Sequence, residues 1–422
     1  GGSGTTLRDL VARLDRAAGD RSVRAVAILF EGGSAGSAQA EELIAAIDRL
    51  KAAGKPVHAW AESIGTSDYL LLSAASRISV VPTGDVWLTG LYAESPYLRG
   101  LLDLIGVEPD YLTCGDYKSA AEMFMRTGPS LRSVEMSAWL LDSRYETYLS
   151  LIAAGRDVEV VKVQKWIDDG PYTARRARKK GLIDAVEHRQ KFLGGLKKSY
   201  GDDVRLATRY GLPPKQTIDL SSPFGLLKLY TDLLQGSRTT NSRAATIAIV
   251  YVDGPIIGGS AGGSLLGGMV AASTPIRRAL DQVAADDSVK AVVLRVNSPG
   301  GSATASEIIL DATRRVQATG KPLVVSMGDV AGSGGYYVAC RADAIFADAT
   351  TITGSIGVVG GKFATNGVWQ KLGISFSTRS RGRQAAILSS ARVFTPDERQ
   401  RMQAWMDEIY GVFKGHVVDG RG

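Results

Sequence analysis

Apolar positions along this chain alternate between helical and strand spacing, and the alternation is written out twice. Residues 7–18 place Leu7, Leu10, Val11 and Leu14 on one helical face. Asp20-Arg21-Ser22 then turns into an apolar run from Val23 to Phe30, which reads as a buried strand. A Gly/Ser loop from Gly32 to Ser37 opens a predicted helix over 39–53. That helix stops at Gly54-Lys55-Pro56, with another strand after it. The same order recurs from residue 276: Asp286-Asp287-Ser288, a strand from Val289 to Val296, a Gly/Ser loop, a helix over 303–318, and Gly320-Lys321-Pro322. The offset is 266 residues and runs without a gap from Asp20 to Pro56. Farther on, the residues from Val107 to Tyr111 behind Gly106 parallel those from Ile374 to Thr378 behind Gly373. Met136-Ser137-Ala138-Trp139 likewise parallels Met402-Gln403-Ala404-Trp405. A duplicated βα unit of this length is no solenoid repeat. It predicts an α/β fold with mostly parallel sheets and helices packed outside them.

The duplication divides the chain into a first repeat over 1–200, a linker over 201–245 and a second repeat over 246–422. The linker holds the breakers Pro213-Pro214 and Ser221-Ser222-Pro223, with a short helix expected near 224–234. The second repeat opens with a strand over 246–252 that has no counterpart in the first, and its Gly/Ser-rich stretch 258–268 reads as a surface loop. The first repeat carries in addition a helical extension over 156–200.

Composition adds mainly exclusions. The chain has 422 residues, 45% hydrophobic and 22% charged, with a formal net charge of +7, the balance of an ordinary globular protein. The basic run Arg175 to Lys180 lacks interleaved aromatic residues, so it reads as a solvated helix face and no nucleic-acid partner is expected. Cys114 and Cys340 are too few for a disulfide framework or a Cys-rich zinc site. No His-Glu-x-x-His, phosphate-binding or dinucleotide motif occurs, so neither metal nor cofactor is expected. No window of eighteen apolar residues spans a membrane, and the opening Gly1-Gly2-Ser3-Gly4 resembles an appended linker rather than a leader.

The chemistry lies where the repeats differ. In the second, Leu323-Val324-Val325 leads to Asp329-Val330-Ala331-Gly332-Ser333-Gly334-Gly335-Tyr336-Tyr337, a serine crowded by three glycines at a strand-to-helix junction. A turn this sharp can push the hydroxyl outward with backbone amides free around it. Asn297-Ser298-Pro299-Gly300-Gly301 follows a strand and could aim amides at an oxyanion. The first repeat has lost both features, at Gly65-Thr66-Ser67-Asp68 and at residues 31–35. It has instead Gly115-Asp116-Tyr117-Lys118-Ser119-Ala120, where the second repeat offers Gln384 or Ala385 opposite Lys118. One half keeps a serine and the other a lysine. The three histidines, His58, His188 and His416, have no acid partner within a repeated motif, which disfavours a Ser-His-Asp triad. A desolvated lysine can take the imidazole's place as base.

The motifs Asn297 to Ser302, Ala331 to Tyr336, Thr353-Gly354-Ser355-Ile356-Gly357 and Tyr117 to Ala120, in this order and spacing, resemble the signal peptide peptidase A (protease IV) family in its long, tandem-repeat form. The resemblance implies a Clp protease/crotonase-like fold and a Ser–Lys dyad drawn from both repeats. It assigns Ser333 as nucleophile, Lys118 as general base and Ser355 as the serine that orients the lysine. Gly300 and Gly301, with Gly334, would form the oxyanion and substrate-binding loop. It further implies a membrane-anchored homo-oligomer, a tetramer, on the outer, periplasmic side of the inner membrane, cleaving apolar signal-peptide remnants. The anchor is absent from this sequence. Two other readings compete: a non-catalytic ring-forming scaffold of the same fold, and an acyl-CoA-handling crotonase relative. Retention of serine in one repeat and lysine in the other disfavours both.

Overall fold

The computed structural model describes residues 6–30, 35–201, 203–208, 210–212, 244–260, 270–381 and 383–422. The helix expected near 224–234 lies outside them, as does most of the Gly/Ser stretch 258–268. The first sheet runs Val26–Phe30, Val57–Ala61, Arg77–Val80, Ala185–Val186, all parallel. The second runs Ala344–Phe346, Leu323–Gly332, Val289–Ser298, Thr246–Asp253, again all parallel, with Ile352–Gly354 added along the far end of Leu323–Gly332. This is the α/β architecture of tandem Clp protease/crotonase-like units.

Helices repeat as faithfully as strands. Leu7–Gly19 and Ser273–Ala285 stand at the 266-residue offset, and so do Ser37–Ala52 and Ala303–Ala318. Local chemistry sets their starts: Thr6 and Asp9 form a capping box, and the Ser302 hydroxyl accepts from Ala305 N–H. Each sheet buries its own core against these helices. Ile47, Leu50, Ile64, Leu70 and Leu72 fill one, and Val252, Leu280, Val292, Leu294 and Ile309 the other. The extension over 156–200 is not purely helical, because it also supplies the strand Ala185–Val186 that closes the first sheet. Two residues are too few to show strand periodicity in a sequence.

Among the described residues the repeats join at a strand ladder and at a helix end. Glu108–Cys114 pairs antiparallel with Val358–Ala364, in register from Glu108 opposite Ala364 to Cys114 opposite Val358. The helix Pro396–Arg421 packs on this ladder through Met406, fully buried beside Leu112 and Cys114. At the second joint, the helix Ser37–Ala52 points its N-terminus at the other sheet. Ala38 N–H donates to Asp329 Oδ1 at 2.9 Å, Thr350 N–H to Glu41 Oε1 at 2.8 Å, and Arg295 pairs with Glu42 at 2.5 Å. Gly36 allows this approach: a Cβ there would lie 2.1 Å from the Asp329 carboxylate.

Candidate active site

The strand Leu323–Gly332 ends opposite Ile352–Gly354, with Gly332 paired to Gly354. The next residue on each strand is a serine, so parallel register alone brings Ser333 and Ser355 to one spot. Ser333 N–H donates to the Gly354 carbonyl at 2.8 Å, and Tyr337 N–H, one helical turn on, donates to the Ser333 carbonyl at 2.9 Å. These bonds hold Ser333 at φ 52°, ψ −118°, just before the helix Gly334–Ala339. Ser355 also has positive φ, 54°. Asp157 is the only other non-glycine residue with positive φ among the described residues. Positive φ is costly for a side-chain-bearing residue and persists where the surroundings enforce it.

Lys118 enters from the other repeat. Its segment leaves the ladder at Cys114, directly opposite the segment that leads from Ser355 into Val358. Its ammonium nitrogen lies 3.2 Å from Ser333 Oγ, 2.9 Å from Ser355 Oγ and 3.1 Å from the Ser355 carbonyl. Burial pushes the amine below the ordinary lysine range. Gly357 makes room for it, since a Cβ there would come within 2.6 Å of the Cys114 carbonyl and 3.2 Å of the lysine chain. The structure therefore brings Ser333, Lys118 and Ser355 together across 215 and 237 residues of sequence.

The glycine loop sits against the serine turn. Gly300 has φ 94°, and a Cβ on it would fall 2.4 Å from Gly334 N. Gly300 N–H is already engaged, donating to Ser298 Oγ at 3.1 Å. The bridge to Ile256 uses the Gly300 carbonyl and Ser302 N–H and bypasses the Gly301 amide. Gly334 is the first residue of its helix, where an amide has no intrahelical acceptor. Gly301 and Gly334 thus carry the amides available to an oxyanion. Ser298, which occupies Gly300, has no signature in the sequence beyond its place in the motif.

The histidines stand elsewhere. His58 Nε2 contacts Tyr200 Oη at 2.7 Å, and burial pushes its imidazole downward. His188 precedes the helix Arg189–Tyr200. His416 meets an acid brought in by tertiary approach: its Nε2 lies 2.9 Å from Glu307, which also accepts from the Tyr337 hydroxyl. The partners are 109 residues apart, outside any repeated motif. Among the described residues no group of His, Cys, Asp and Glu is placed to hold a metal ion.

A model of peptidase family S49 matches residues 49–201 and 315–422, segments that contain Lys118 and Ser333. The chain belongs to peptidase family S49. Curated relatives agree. This S49 chain is 30% identical to the chloroplastic serine protease SPPA of Arabidopsis thaliana over 99% of its length and 60% of the relative's. It is 36% identical to Protease 4 of Haemophilus influenzae over 74% of its length and 49% of the relative's. Against Protease 4 of Salmonella typhi it is 30% identical over 99% of its length and 65% of the relative's. The chain thus spans about half to two thirds of the length of these relatives.

Proposed function

We propose that this chain hydrolyses peptide bonds with Ser333 as nucleophile and Lys118 as general base. The observation that carries the reading is the 3.2 Å approach of the half-buried lysine's nitrogen to the serine oxygen. The neutral amine takes the Oγ proton as Oγ attacks the scissile carbonyl. The resulting ammonium returns that proton to the leaving amine, and water then repeats the cycle on the acyl-enzyme. Ser355 fixes the lysine through its hydroxyl and carbonyl. The Gly301 and Gly334 amides, held by the Gly300 turn, receive the developing oxyanion.

The substrate reading is carried over from the family, and an open strand edge near the dyad supports it. One side of the Gly300-Gly301 loop is taken by Ile256. Among the described residues Val358–Ala364 pairs on one edge only, so an extended peptide adds along its other edge, beside the dyad. Apolar signal-peptide remnants are the proposed substrates, met on the outer side of the inner membrane by a homo-oligomer. Among the described residues no helix is long and apolar enough to cross a membrane. A fluorophosphonate probe tests the chemistry. It should label the protein and fail to label Ser333→Ala, whereas undiminished labelling of that variant would overturn the assignment.

A further inference from the structure

The Gly334 amide sits on a helix that cannot hold itself in place. Gly334–Ala339 is six residues long, and a helix this short is marginal without tertiary support. Two other helices brace it. Ala303–Ala318 starts directly after the Gly300-Gly301 loop, and a Cβ on Gly334 would lie 2.5 Å from Ser306 Oγ and 3.2 Å from Gly301 N. Pro396–Arg421 packs on it as well, with the Phe413 and Tyr337 ring centroids 4.6 Å apart and Arg421 donating to the Cys340 carbonyl at 2.9 Å.

The three helices meet at one carboxylate. The Tyr337 hydroxyl and His416 Nε2 both reach Oε2 of Glu307, the imidazole at 2.9 Å, and the histidine ring stands edge-on to the tyrosine. A carboxylate only accepts, so both partners donate. Burial and the carboxylate push the Tyr337 hydroxyl pKa upward, which keeps it a donor.

We infer that Glu307 is a positioning residue for the oxyanion site: by clasping Tyr337 and His416 it fixes the spacing of the Gly301 and Gly334 amides. The inference rests on the peptidase reading above. Glu307 follows Gly301 by six residues and Tyr337 follows Gly334 by three, so the clasp closes within about one turn of each helix start. Hydrogen bonds to a carboxylate are roughly twice as strong as neutral ones. Precision matters here, because a displacement of about 1 Å can cost about a hundred-fold in rate. The helix that brings His416 also packs through Met406 on the ladder leading to Lys118. One helix thus backs both the amides and the base.

Kinetics with a transition-state mimic test the clasp. Tyr337→Phe keeps the ring and removes only the hydroxyl. Glu307 is partly exposed, so water replaces the lost donor and the fold is kept. The probe is a peptide aldehyde matched to a fluorogenic apolar peptide substrate. Ser333 Oγ adds to the aldehyde carbon, its proton passes to the Lys118 amine, and the former carbonyl oxygen takes the oxyanion position. Tyr337→Phe and Glu307→Ala should each lower kcat about ten-fold, hold KM within about two-fold, and raise the aldehyde Ki by the same factor as kcat falls. Glu307→Gln keeps an acceptor and should recover part of both. The pH at which kcat/KM climbs belongs to Lys118 and should stay where it is. A purely structural role would lower Tm and leave kcat and Ki of the folded protein unchanged. That result, a fall in kcat without the rise in Ki, a shifted pH profile, or Glu307→Gln no better than Glu307→Ala would each overturn the clasp alone. Wild-type protein that neither hydrolyses the peptide nor takes up a fluorophosphonate probe would overturn the peptidase reading, and the clasp with it.

Discussion

Cys114 and Val358 face each other across the antiparallel ladder, and the distance from that pair to Lys118 on one strand and to Ser355 on the other is four residues and three. The geometry of the dyad is thus set by backbone pairing between repeats rather than by either repeat alone. Short tethers on both sides leave the lysine little freedom to miss the serine.

Both residues of the dyad should be indispensable. Ser333→Ala and Lys118→Ala should each lower kcat by roughly a thousand-fold or more. Lys118→Arg should be as inactive as Lys118→Ala, since guanidinium keeps its proton. Steady-state hydrolysis of a fluorogenic apolar peptide measures this, and substantial turnover by Lys118→Arg would exclude the general-base role.

The pH profile carries the sign of the lysine's shift. Burial depresses the Lys118 pKa below 10.5, so the amine is charged and idle at low pH. It becomes a competent base as pH rises through the depressed value. kcat/KM should therefore climb with pH and level off before the range of a free lysine. Ser355 supplies two acceptors to the ammonium. Ser355→Ala should lower the plateau by about ten-fold or more and move the rise to lower pH, because losing an acceptor disfavours the charged form. An upward shift would contradict the proposed contact.

Asp329 should matter for stability although it lies outside the dyad. Its carboxylate accepts from Ala38 N–H at 2.9 Å and sits at the N-terminus of the helix Ser37–Ala52, 291 residues away. Asp329→Ala should cost about 1–2 kcal/mol, as loss of a helix cap does. Asp329→Asn keeps an acceptor and should recover part of it. Urea unfolding monitored for each variant gives the comparison.

Asp348 should make stability pH-dependent in the opposite sense to most carboxylates. Burial, with Glu41 and Glu42 nearby, raises its pKa to about 6. A raised acid binds its proton more tightly in the folded state, so its contribution is present below pH 3.8 and is lost as pH rises through about 6. Solvent at this half-open site screens the effect, leaving about 1 kcal/mol or less. Asp348→Asn should raise Tm at pH 8, with the advantage shrinking towards pH 4, and a constant difference would count against this origin.

What the sequence makes legible here is whatever repeats or stays local. The helices Ser37–Ala52 and Ala303–Ala318 can be read because the same apolar stripe and Gly-Lys-Pro stop occur twice, while their caps differ, Gly36 on one and Ser302 on the other. Lys118 stands out because its counterpart is not a lysine. The ladder is another matter. Glu108–Cys114 and residues 375–381 occupy matching places in the two repeats, yet only the first is a strand in the isolated chain, since strand formation at an edge depends on what lies across from it. The pairing of His416 with Glu307, and the engagement of Gly300 by Ser298, are equally invisible, because each is decided by tertiary approach and not by spacing.

The separation of 215 positions between Lys118 and Ser333 imposes an order on biosynthesis. The lysine leaves the ribosome early, inside a first repeat that has lost the glycine-flanked serine turn. The serine follows later, after which Val358–Ala364 pairs with Glu108–Cys114 and the helix Pro396–Arg421 packs on that ladder through Met406. On the proposed dyad, a chain whose synthesis is interrupted before that point would be inert, and a protease assembled this way would need no separate propeptide to keep it silent while it is being made.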